Sequence, residues 1–135
     1  MDPINSTDEI VALGNSLRQI NQNLLKKDLH AGTMKIWYQG GEPYFDVFFE
    51  MKEDDILWFQ FTLRGKYLVW DKKQAKIKTG TTNELMIDDV SYYPASKLIT
   101  SDINPDWDFV KVVRSILQIR PNDKFFAKAL TLFPD

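Results

Sequence analysis

Cysteine is absent from this chain, which removes disulfide staples, thiolate nucleophiles and cysteine-bound metals. Histidine occurs once, at His30. A Ser-His-Asp device would need that one imidazole to hydrogen-bond both nucleophile and orienting acid, and a single histidine does not complete the common zinc sites. His30 stands just before Ala31 and Gly32, where a helix end is expected and a cation complements the helix dipole. No apolar run approaches the roughly 20 residues of a membrane span. Residues 1–9 are polar and acidic rather than basic and then apolar, so no leader is expected and the expected setting is cytoplasmic. Neither G-x-G-x-x-G nor G-x-x-x-x-G-K-S/T occurs, so the usual phosphate cradles are missing and no cofactor is expected. Internal repeats, low-complexity tracts and Gly/Ser linkers are also lacking. A chain of 135 residues without them reads as one domain, long enough to bury a core unaided.

What is present is alternation. Across residues 34–71, aromatic and β-branched residues alternate with polar ones in four runs joined by turn signals, the pattern of an antiparallel β-meander. A one-residue slip sends every side chain to the opposite face, so each turn can be tested for consistency. A primed turn at Gly40-Gly41 places Gln39 opposite Glu42, Ile36 opposite Phe45 and Met34 opposite Val47. It also sets Trp37 beside Tyr44 and Lys35 beside Asp46 on the other face. A three-residue loop of Glu53, Asp54 and Asp55 aligns Phe45 with Leu63, Val47 with Phe61, Phe49 with Phe59 and Met51 with Leu57. Arg64-Gly65 then brings Phe61 to Leu68 and Phe59 to Trp70. All these turns place the same residues on one apolar face.

Helices are expected at both ends. Ser6 with Glu9 forms a capping-box pattern, followed by a stripe of Ile10, Leu13, Leu17, Ile20 and Leu24, with Gly32 as the stop. Further on, Asn104 is the expected N-cap, Pro105 the first helical residue, and Trp107, Val110, Val113 and Leu117 the inward stripe, widened by Phe109 and Ile116 and ended by Pro121. A short last helix over 123–130 turns Phe126, Ala129, Leu130 and then Phe133 inward. Between 72 and 101 the pattern weakens: 76–79 reads as a short fifth strand with Ile77 inward, and 85–90 as another extended run before Tyr92, Tyr93 and Pro94. The expected architecture is α+β: an N-terminal helix, a four- to five-stranded antiparallel meander, and two C-terminal helices packed on the sheet.

Motifs for chemistry are weak. Asp102, Asn104, Asp106 and Asp108 resemble the opening of an EF-hand loop in spacing, but Trp107 stands where that loop needs Gly and Val113 where it needs Glu; no metal is expected. The Glu53, Asp54, Asp55 cluster reads as a solvated hairpin tip. Asp88 and Asp89 are adjacent, and adjacent strand residues point to opposite faces, which disfavours joint action on one substrate. Lys66, Lys72, Lys73, Lys76 and Lys78 fall in one stretch, yet the net charge is -2 and Asp46, Glu50 and Asp71 share the outer face, so no nucleic-acid partner is expected. Lysines on a late, edge-like strand serve to block edge-to-edge association.

The outer face of the meander is the remaining signal. Read across the inferred registers it runs Trp37, Tyr44, Arg64; Lys35, Asp46, Thr62, Tyr67; Phe48, Gln60, Val69; Glu50, Trp58, Asp71. Tryptophan and tyrosine with arginine and few aliphatics match the makeup of interface hot spots. The expected function is therefore non-enzymatic protein binding, as in a small acidic adaptor, secretion-chaperone-like or inhibitor-like protein. The partner is another protein or a second copy, and the contact residues are Trp37, Tyr44, Phe48, Trp58, Gln60 and Tyr67. The alternatives are a small-molecule carrier or sensor with an aromatic pocket between the sheet and the C-terminal helices, and an enzyme using carboxylates around Asp88 and Asp89.

Overall fold

The computed structural model describes residues 6–20, 33–82 and 98–134. In chain order the elements are α1 (Thr7–Ser16), β1 (Arg18–Gln19), β2 (Met34–Gln39), β3 (Asp46–Lys52), β4 (Asp55–Leu63), β5 (Lys66–Asp71), β6 (Lys76–Thr82), β7 (Leu98–Ser101), α2 (Trp107–Gln118) and α3 (Lys124–Leu130). Strands β2 to β7 form a six-stranded antiparallel sheet in which every strand lies beside its sequence neighbours. The two-residue β1 extends the β2 edge, with Arg18 opposite Gln39. The fold is α+β, with six main strands rather than four or five. The additional length comes from β6, which continues through Thr81 and Thr82, and from β7 paired to it. The extended run expected at 85–90 and the residues His30, Leu24, Gly32, Asp88 and Asp89 lie outside the described residues.

The pleat sorts side chains into two faces. On the inner face one row runs Ile36, Phe49, Phe59, Trp70, Ile77 and the next Tyr38, Val47, Phe61, Leu68, Thr79. Phe49 and Phe59 stack with ring centroids 5.2 Å apart, and both are fully buried. The helices close this layer from one side. Phe126 of α3 meets Tyr38 at 4.6 Å and Phe109 of α2 meets Phe61 at 6.4 Å, while Phe133, beyond α3, meets Phe59 at 6.3 Å. No helix among the described residues is long and apolar enough to cross a membrane.

Each turn has its own chemistry. Arg64 (φ 50°) and Gly65 (φ 82°) make the expected two-residue turn, and Phe61 pairs with Leu68 as the sequence implies. At the first hairpin neither Gly40 nor Gly41 takes a positive φ among the described residues. The loop is longer, closed by Gly40 N–H to Phe45 O at 2.8 Å, with Tyr44 at φ 58°. Pro43 has no N–H to give a ladder, and a Cβ on Gly40 would overlap the Phe45 ring. Ile36 consequently pairs with Phe49 rather than Phe45, Trp37 with Phe48 rather than Tyr44, and Lys35 with Glu50 rather than Asp46. The slip is an even number of residues, so the side chains that stay in β2 and β3 keep their expected faces, while Tyr44 passes into the turn.

The β3–β4 hairpin corrects a second expectation. Its tip is a two-residue turn, Glu53 (φ 55°) and Asp54, which pairs Lys52 with Asp55 and Met51 with Ile56. Continued unbroken, that register would set Phe49 against Trp58 and Val47 against Gln60. A bulge between Glu50 and Met51 restores Phe49 to Phe59 and Val47 to Phe61. Ile56, 5% exposed, takes the core place expected for Leu57.

Helix α1 starts as read, with Ser6 Oγ accepting from Glu9 N–H at 3.3 Å, but stops at Leu17, whose backbone is extended. The expected stripe therefore does not continue as one helix to Ile20. Gly14 lies so close to the end of α2 that an added Cβ would sit 2.7 Å from Ile119 Cβ. The orphan Leu17 carbonyl accepts from Arg120, and Ile20 N–H joins Trp37 O at 2.8 Å. Helix α2 is capped by Asp106 rather than Asn104: its carboxylate accepts from Phe109 N–H at 3.1 Å and from Lys66 Nζ at 2.7 Å. Trp107 is 50% exposed, since at 3.6 residues per turn it points about 120° away from Val113, the middle of the buried stripe. Helix α3 is capped by Asp123, and Phe126 and Ala129 are buried as expected.

Two outcomes test this packing. Phe59→Ala should cost about 3 to 5 kcal/mol in denaturant unfolding, as deletion of a buried ring does; a loss under about 1 kcal/mol would mean the faces are inverted. Asp106 is held below the ordinary value of 3.8 by its hydrogen bond to Lys66, against the opposing pull of desolvation. A depressed carboxylate stabilises the fold above its unfolded value and loses that contribution as pH falls through its folded value. Asp106→Asn should therefore flatten the acid limb of the stability curve below 3.8, measured by urea unfolding across pH.

Candidate functional site

The outer face takes its order from the same registers. One row runs Trp37, Phe48, Gln60, Val69, Lys78; the next runs Lys35, Glu50, Trp58, Asp71, Lys76; a third runs Gln39, Asp46, Thr62, Tyr67, Gly80. Of the residues singled out from sequence, Trp37, Phe48, Trp58 and Gln60 are half-buried neighbours in the first two rows. Trp58 Nε1 donates to Gln60 Oε1 at 3.3 Å, which orients the indole along its own strand. Trp37 Nε1 donates to Asp46 Oδ1 at 3.1 Å. Tyr67 is only 3% exposed and its hydroxyl lies 2.9 Å from Ser101 Oγ, in the third row. Tyr44 leaves the sheet for the first turn. The structure therefore gathers four of the six and separates Tyr44 and Tyr67 from them.

Phe48 and Trp58 share a half-open concavity of about 510 Å³ at the end of the sheet nearest the β3–β4 turn. Its apolar lining is completed by Leu57, and Glu50, Asp71, Lys72 and Lys73 form the charged part. Leu57 is there because of the bulge. Strict alternation would send it inward with Phe59, but Ile56 occupies that place, and Leu57 joins Trp58 on the outer side. Bulges commonly re-aim a side chain in this way. Sequence reasoning missed Leu57 as a site residue, although the unbroken apolar run Ile56, Leu57, Trp58, Phe59 carries the signal: a half-buried strand with one apolar residue too many.

Two of the four charged residues lining this concavity have polar partners among the described residues. Lys72 Nζ meets Asp55 Oδ2 at 3.1 Å, and Asp71 Oδ1 accepts from Gln74 N–H at 3.0 Å. Register places Lys35 beside Glu50 and Lys76 beside Asp71. The layer between the sheet and the C-terminal helices is different in kind: Phe49, Phe59, Phe61 and Phe126 are fully buried rings of one core cluster. The acids that resemble a calcium loop are drawn into helix and sheet contacts, Asp102 Oδ2 accepting from Thr79 Oγ1 at 2.6 Å and Asp106 capping α2. The Glu53 to Asp55 cluster is an exposed hairpin tip.

A polar cluster lies where the inner face meets α3. Tyr38 donates its hydroxyl to Asp123 Oδ2 at 2.7 Å while Asp123 Oδ1 accepts from Phe125 N–H and Phe126 N–H. Burial and that carboxylate push the Tyr38 phenol well above its ordinary range, so it stays a neutral donor. Comparison with protein-family models, curated proteins and solved structures finds no match to this chain.

Neighbouring residues distinguish the bulged strand from a regular one. Ile56→Ala should cost about 2 to 5 kcal/mol, whereas Leu57→Ala should cost no more than about 1. Equal, large losses in thermal and urea unfolding would place Leu57 in the core and remove it from the concavity.

Proposed function

We propose that this chain is a non-enzymatic protein-binding module that docks a partner on the outer face of its sheet. The observation that carries the reading is the concavity floored by Phe48, Leu57 and Trp58 on the face opposite the helical layer. Partly exposed aromatic groups bordered by charges are the composition of interface centres, where a few large side chains supply most of the affinity. Trp37 and Gln60 extend the surface along the adjoining row. An adaptor, secretion-chaperone-like or inhibitor-like role fits such a surface by analogy of architecture.

A small-molecule carrier is the second reading, favoured by the volume of about 510 Å³, which lies within the range of ligand sites. Its site moves from the ring-filled layer beneath the helices to the outer face. The half-open shape suits a side chain presented by a partner better than a ligand enclosed on most of its surface.

Trp58→Ala separates interface from core. Unfolding free energy should change by no more than about 1 kcal/mol, while association with a partner co-purified from the native source should weaken by about 2 kcal/mol. Intact-mass analysis of the purified complex identifies a bound protein or a bound small molecule in one measurement. Large destabilisation together with a lone monomer would overturn the binding surface.

A further inference from the structure

We draw no further inference here: the strongest candidate, the concavity of Phe48, Leu57 and Trp58 on the outer face of the sheet, is lined by charges of both signs, and nothing in the structure shows what covers it.

Discussion

The packing of Phe45, Phe49, Phe59 and Phe61 on one side of the pleat is the constraint from which the other features follow. Phe49 against Phe59 and Phe45 against Phe61 are adjacent tilted ring pairs, 5.2 and 5.7 Å between centroids. Any odd slip between β3 and β4 would turn these rings to the outside. The tight Glu53-Asp54 tip imposes just such an odd offset, and the bulge cancels it. Leu57 is the residue displaced by that cancellation. The concavity on one face is therefore a by-product of register enforcement on the other, and the core and the concavity are specified by the same local irregularity.

Alternation in the sequence carries face assignment well because it depends only on parity. It is unambiguous at Val47, Phe59 and Phe61, where neighbours on both strands agree, and the β4–β5 register follows directly from Arg64-Gly65. Turn length carries less. Gly40-Gly41 has the composition of a primed turn, but nothing local reveals that the Phe45 ring will lie against Gly40 and lengthen the loop. Helix ends depend on distant partners in the same way: α1 stops where Arg120 reaches Leu17, and Asp106 displaces Asn104 as cap because Lys66 and Thr79 hold it in place. Within the candidate site, Phe48, Trp58 and Gln60 were legible as outer-face residues. Tyr44 was not, since its placement hung on the first turn, and Tyr67 is occupied by Ser101 of β7, a strand with too short a pattern to read.

Polar contacts supply the fastenings between layers. Arg64, on the β4–β5 turn, holds Glu42 through two of its nitrogens at 2.8 and 3.2 Å and Glu9 of α1 at 3.1 Å, joining the first loop, the third hairpin and the first helix. Its side chain and those of its partners are partly exposed, so the contribution is geometric more than energetic. Tyr38, Asp123 and Arg120 do the same at the opposite end of the helical layer, where an inner-face phenol is satisfied by the residue that caps α3. Neither fastening touches the outer face. A partner can thus engage that face without loosening the contacts that hold helices to sheet.

The order of strands in the sheet is the order of the chain, and this separates two length scales in folding. From β2 to β6 each hairpin closes a loop of a few residues, so that part of the sheet grows by local steps that cost little chain entropy. The contact of Arg120 with Leu17 instead spans 103 residues. Closing so long a loop early would be entropically unrewarded: the meander leaves Leu17 beside its β2 edge and the chain emerging from β7 at the other, and α2 must run back across the inner face to reach α1. The helical layer is in this sense a clasp: the sheet supplies its hinge, and the seam between α1 and α2 is the last joint to close.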